Sequence, residues 1–141
     1  MHIKIKKLRE DAKLPTHGHP GDAGIDFYAV ETIVFQPGKQ NRVPTGVSVE
    51  IPEAHVGLIW DKSSLSFNKG LKVMGGVIDS GYRGEIFMSL LNTSNEEVVI
   101  EKGHKIAQML IQKFEHCDIL EVTELSDTAR GEGREGSTGH K

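Results

Sequence analysis

The sequence predicts one all-β domain, and three observations carry that prediction. Apolar residues alternate with polar ones over short windows. The windows recur about every ten residues, and glycine, proline and asparagine punctuate the gaps between them. Sixteen glycines in 141 residues fit a chain of many turns. Strands so spaced build a sandwich, a jelly roll or a barrel.

Taken in order, Ile3 and Ile5 alternate with lysines at the start of the chain. Gly21-Asp-Ala-Gly-Ile-Asp-Phe27 reads as a turn entering a strand. Val47, Val49 and Ile51 alternate with Ser48 and Glu50, the period of a half-buried strand. His55 to Trp60, Ile86 to Leu91 and Glu97 to Ile100 are further β-like runs, separated by Gln36-Pro-Gly38, Ile51-Pro52, Asn92-Thr-Ser-Asn95 and Lys102-Gly103. Gly75 to Glu85 has the look of a β-hairpin with Asp79 and Tyr82 at its tip. Ser63 to Phe67 fits one short helical turn capped by Ser63. Ile106 to Ile111 fits helix or strand by period, and the β context makes it a strand. The expected division is a β domain over 1–127 and a flexible, glycine-rich C-terminal arm over 128–141.

The apolar share of 37% is low for a self-sufficient core, and a net charge of −3 gives no long-range attraction to nucleic acid or acidic lipid. Any anionic ligand must be held by local charges. The lone Cys117 excludes an internal disulfide and is expected as a small core or edge residue in a reducing compartment. Met1 to Leu8 carries no apolar run of secretory or membrane-spanning type, so a soluble, cytoplasmic protein is expected.

Five segments suggest chemistry, each ambiguous alone. Gly21 to Phe27 places two acids around a glycine turn. Trp60-Asp-Lys-Ser-Ser-Leu-Ser66 puts a cation and hydroxyls at a helix start, which suits phosphate or plain capping. At the Gly75 to Glu85 tip an acid is placed to act as a base and a tyrosine ring to face a sugar, though the pattern also fits a simple turn. Gln108 stands in an apolar strand where its amide needs a partner, backbone or ligand. Arg130-Gly-Glu-Gly-Arg-Glu-Gly-Ser-Thr-Gly-His-Lys141 has no large apolar residue and reads as a disordered tail or as an arm folding over an anion. Its Gly131 to Thr138 spacing is P-loop-like, but Ser137 replaces the lysine and no helix follows, so a Walker site is excluded. His17 and His19 have no third ligand nearby and are expected in a surface loop.

In order and combination these segments resemble the five motifs of the deoxyuridine triphosphatase (dUTPase) family. Ala23-Gly-Ile-Asp26 is similar to the first, Lys62-Ser-Ser-Leu65 to the second and Gly76 to Glu85 to the third. Gly103 to Gln108 is similar to the fourth and Arg130 to Gly139 to the fifth. The resemblance implies a jelly-roll-like β-barrel and a homotrimer whose active sites are shared between subunits. It implies magnesium-dependent hydrolysis of dUTP to dUMP and pyrophosphate. By the same resemblance Asp79 activates the attacking water, Tyr82 packs beneath the deoxyribose and Asp26 helps hold the hydrated Mg²⁺. Lys62, Ser63, Ser64 and Gln108 grip the phosphates. The backbone around Val73, Met74 and Gly76 reads uracil, and Arg130, Ser137 and Thr138 close from the arm.

Three positions depart from the family pattern. Asp61-Lys62 replaces Pro-Arg, so the bidentate fork of arginine is lost. Val73 stands where some members carry Asn. Arg134-Glu135 replaces Gly-Phe, and Arg134 is expected to lay its guanidinium over the base in place of the ring. These departures keep a second reading open, a dUTPase-like trimer that binds nucleotide or a protein without efficient turnover. A relative of the dCTP deaminases fits less well, because the Asp79 to Tyr82 pattern and the arm both argue against it.

Overall fold

The computed structural model describes residues 1–134. Eleven strands and one helix follow in the order β1 (Lys4–Lys7), β2 (Thr16–His17), β3 (Ile25–Tyr28), β4 (Ile33–Phe35), β5 (Gln40–Glu50), β6 (His55–Asp61), α1 (Ser63–Lys69), β7 (Leu71–Val73), β8 (Val77–Ile78), β9 (Glu85–Asn92), β10 (Val98–Ile100) and β11 (Lys105–Lys113). They pair antiparallel into a four-stranded sheet β1-β5-β9-β7, a five-stranded sheet β2-β3-β11-β6-β8 and a small sheet β10-β4. The architecture is the expected all-β, jelly-roll-like one.

The alternation of inward and outward side chains along the strands is what closes the core. On β9, Ile86, Met88, Leu90 and Asn92 point inward, while Phe87 is exposed. Val43 and Val47 of β5 meet Phe27, Ile106 and Met109 of the other sheet in one buried cluster. Each such side chain contributes roughly 1.5–3 kcal/mol by leaving water. Buried Asn92 survives there because it is fully used: Nδ2 donates to Phe35 and Glu96 carbonyls, and Oδ1 accepts from Ser94. It ties β9 to the loop that follows.

Several expectations need correction. The strand read from Val47 begins at Gln40, because Pro44 is accommodated by a register shift between Pro44 and Ser48. The helix cap is Lys62, with no side-chain cap bond, and α1 runs on to Lys69 before Gly70 ends it in the left-handed region. Cys117 is exposed, beyond the last strand, and not a core or edge residue. His17 lies in the short strand β2, with Nδ1 against the Gly24 carbonyl, and not in a loop.

The Gly75 to Glu85 segment is not a simple hairpin. β7 and β9 pair in the four-stranded sheet, but β8 between them crosses to pair with β6 in the other. The loop can cross because Gly76 adopts φ 136° and lies against Ile59 of β6, whose N–H donates to the Gly76 carbonyl at 2.8 Å. After β11 the chain from 114 to 134 forms no strand or helix, and Ile119, Leu120 and Leu125 are exposed.

Candidate active site

Register on the five-stranded sheet assembles one row of side chains. Asp26 of β3 pairs with Gln108 of β11, and Gln108 pairs with Trp60 of β6. Their neighbours Phe27, Ala107 and Met109 point into the core, so this row faces the other way. It borders a hollow of about 640 Å³, completed by Lys62 and Ser63 at the start of α1, with Ser66 and Phe67 one turn on. Ser64 does not border it.

Asp26 is the electrostatic centre of this hollow. Its side chain is only 2% exposed, and Lys62 Nζ donates to Oδ1 at 2.7 Å. Lys105 Nζ lies 2.7 Å from Oδ2 but off hydrogen-bonding alignment, so that oxygen is buried with a charge beside it and no directed donor. Burial opposes ionisation of Asp26, yet the ammonium groups of Lys105 and Lys62 outweigh it and hold the carboxyl below its usual range. The same contact raises Lys105 above the ordinary lysine value. Lys105 was not singled out in the sequence; only the β3–β11 pairing brings it to Asp26.

Gln108 donates Nε2 to the Asp61 carbonyl at 2.8 Å. Its Oε1 would lie 2.0 Å from a Cβ placed on Gly24, which explains the glycine two residues before Asp26. Two of the five motifs are thus one packing unit.

Asp79 and Tyr82 lie elsewhere. They border a separate hollow of about 240 Å³ with Arg42, Glu85, Phe87 and Ser89 among its walls, sharing no residue with the first. The Tyr82 N–H donates to the Asp79 carbonyl at 3.1 Å, closing the tip turn. The Tyr82 hydroxyl donates to the Glu85 carbonyl at 2.9 Å, which lays the ring against Gly84 and fixes its orientation. Glu85 accepts from the Gly46 N–H at 2.8 Å, and Arg83 donates to the Ser80 and Tyr82 carbonyls, so both brace the loop. Arg42 stacks on Phe87, 4.4 Å from the ring centroid, and is a wall that no motif announced.

The family model described as dUTPase matches residues 10–139. The chain belongs to the dUTPase family. A deoxyuridine 5'-triphosphate nucleotidohydrolase of Clostridium tetani is 45% identical over 97% of this chain and 96% of its own length, and that of Alkaliphilus metalliredigens is 44% identical over 99% of both. Among solved structures, the Staphylococcus bacteriophage 80alpha dUTPase with dUPNHPP superposes with a TM-score of 0.92 at 30% identity, covering 99% of each chain. A mutant dUTPase from phage phi11 of S. aureus, described with a structural Mg(II) ion, gives a TM-score of 0.82 at 27% identity, over 88% of this chain and 98% of that one.

Against this dUTPase background, the first, second and fourth motifs meet at one hollow, and the third occupies another. In the segment around Val73 and Met74, the Met74 N–H donates to Ser89 and the Val73 N–H to Asp61. Arg130 donates Nε to the Gly133 carbonyl at 3.0 Å, within the arm, and Arg134 is exposed. Neither borders the two hollows. Glu135, Ser137 and Thr138 lie outside the described residues. No helix among the described residues is long and apolar enough to cross a membrane.

A metal has no protein cage here, for the described residues hold no group of three or more His, Cys, Asp or Glu suited to one. The buried, undirected Oδ2 of Asp26 at the hollow does fit an acceptor for water carried by a hydrated ion. That suits magnesium, which keeps its waters and binds mainly through phosphate oxygens.

Proposed function

We propose that this chain hydrolyses dUTP to dUMP and pyrophosphate. The observation that carries the reading is the hollow at Asp26, with Lys62, Ser63 and Gln108 around it, in a chain of the dUTPase family. Lys62 supplies charge, and the first turn of α1 supplies unpaired N–H groups toward phosphate oxygens. Lys62 reaches Asp26 in the free chain, so triphosphate binding competes with that ion pair. Bound Mg²⁺, hydrated and held near Asp26 through water, would neutralise phosphate charge and make phosphorus more electrophilic.

Asp79 takes a proton from water while the water oxygen bonds to the α-phosphorus. The bond from that phosphorus to the bridging oxygen breaks, and pyrophosphate leaves with its electron pair. The fixed Tyr82 ring packs against deoxyribose, where a 2′-hydroxyl would collide. The backbone near Val73, Met74 and Gly76 reads the base. Arg130, Ser137 and Thr138 close over the phosphates, and Arg134 covers the base, which would exclude bulk water.

The separation of Asp79 from the Asp26 hollow supports a homotrimer, in which one subunit's water-activating loop completes another's phosphate cradle. Exposed Ile119, Leu120 and Leu125 fit burial against a neighbouring subunit. A cytoplasmic setting accords with the single exposed cysteine.

Purified protein incubated with dUTP, dCTP, dTTP and UTP, each with and without Mg²⁺, tests the reading by chromatography of products. Magnesium-dependent release of dUMP and pyrophosphate from dUTP alone is expected, and its loss in Asp79→Asn. Absence of turnover by folded trimer would leave a nucleotide-binding protein instead.

A further inference from the structure

Asp61 ends β6 one residue before Lys62, where the family pattern has proline. Its carboxylate reaches across to the other sheet. The Val73 N–H donates to Oδ1 at 2.6 Å and Lys72 Nζ to Oδ2 at 2.6 Å. Its backbone carbonyl accepts from Gln108. One residue thus touches the phosphate cradle through its main chain and the base-reading segment through its side chain.

The geometry of β7 gives that contact a consequence. β7 is an edge strand of its sheet, and the Met74 N–H is bonded to Ser89 of β9. Antiparallel pairing alternates, so Val73, one residue earlier, turns both its N–H and its carbonyl off the open edge. Left alone, that edge offers a donor beside an acceptor. Asp61 occupies the donor, and the carbonyl remains.

We propose that Asp61 is a positioning residue that fixes this edge of β7 and biases it toward uracil by taking the Val73 N–H out of use. The proposal rests on the dUTP reading above. Uracil carries a donor at N3, which the Val73 carbonyl can accept. Cytosine carries an acceptor at N3, and the donor that would satisfy it is held by Asp61. The proline of other members has no side-chain acceptor and could not do this.

The test uses the full chain, with steady-state kinetics on dUTP and dCTP and amide exchange at Val73 followed by NMR. Asp61→Ala is expected to raise KM for dUTP roughly tenfold, the scale of losing a hydrogen bond to a charged group, with kcat nearly kept. Its preference for dUTP over dCTP should fall, and Val73 protection should be lost. Asp61→Asn retains an acceptor and should restore most of both. Lys72→Met removes only the cation and should resemble wild type. If Asp61→Ala does not fold, Asp61→Glu, which shifts the carboxylate by one methylene, should move KM and preference the same way. Unchanged preference or a still-protected Val73 amide in a folded Asp61→Ala or Asp61→Glu protein overturns the proposal alone. A wild-type protein that leaves dUTP intact overturns the dUTP reading and the proposal with it.

Discussion

Replacing Gly76 by alanine should be among the most damaging single-methyl changes in this chain. Gly76 sits at φ 136°, where an L side chain is strained by about 1–3 kcal/mol. The added Cβ would also lie 2.4 Å from Ile59 Cβ and 2.6 Å from its Cγ1, atoms too near the backbone to swing aside. Forcing such a contact costs about 1–3 kcal/mol more, giving roughly 2–6 kcal/mol in all. At about 3 °C per kcal/mol for a domain of this size, the melting temperature should fall by about 6–18 °C. Dissecting the two causes requires Ile59→Gly, which removes both offending atoms. In a double-mutant cycle the contact part should reappear as coupling of about 1–3 kcal/mol, while the backbone strain stays. Thermal unfolding of the four proteins at one concentration reads this directly. Turnover of dUTP should fall alongside, because Asp79 lies three residues further on in the displaced loop. A Gly76→Ala protein that melts like wild type, or a cycle that is additive within about 0.5 kcal/mol, would refute the reasoning.

Two further outcomes follow from the Asp26 hollow. Asp26→Asn should cost roughly 1–2 kcal/mol near neutral pH, less than a fully buried pair because Lys62 and Lys105 reach solvent. The folded carboxyl lies below its ordinary range, so its contribution is present above the ordinary aspartate value and lost as pH falls through the folded value. Urea titrations of both proteins should therefore converge in acid, and a constant gap down to the lowest pH would exclude the ion pair as its source. Gly24→Ala should push Gln108 off the Asp61 carbonyl, costing about 1 kcal/mol, and lower kcat/KM for dUTP. The same change should be nearly silent in a Gln108→Ala background, and full additivity there would break the link between the two motifs.

Much of the strand content could be read along the chain, because a half-buried strand writes its period of two into the sequence. Val47 to Glu50 is such a case within β5, which ends one residue before Ile51, and the β-like run Ile86 to Leu91 lies within β9. The five motifs were legible as well, since glycines, acids and hydroxyls cluster where backbone must turn and ligands must be met. The helix cap at Lys62 and the start of β5 at Gln40 were not, because a register shift at Pro44 leaves no local periodic signal.

By itself the sequence determined the fold class, the family and the residue types available for phosphate chemistry, all of which depend on order and spacing. The tertiary structure decided which of those residues meet. Antiparallel register brought Lys105 to Asp26, and the tip loop after β8 holds Asp79 apart from the hollow at Asp26. Only folding let Asp61 reach Val73 on the other sheet. Such contacts join residues through space, where the sheets' packing places them, and no local pattern in the chain records that distance.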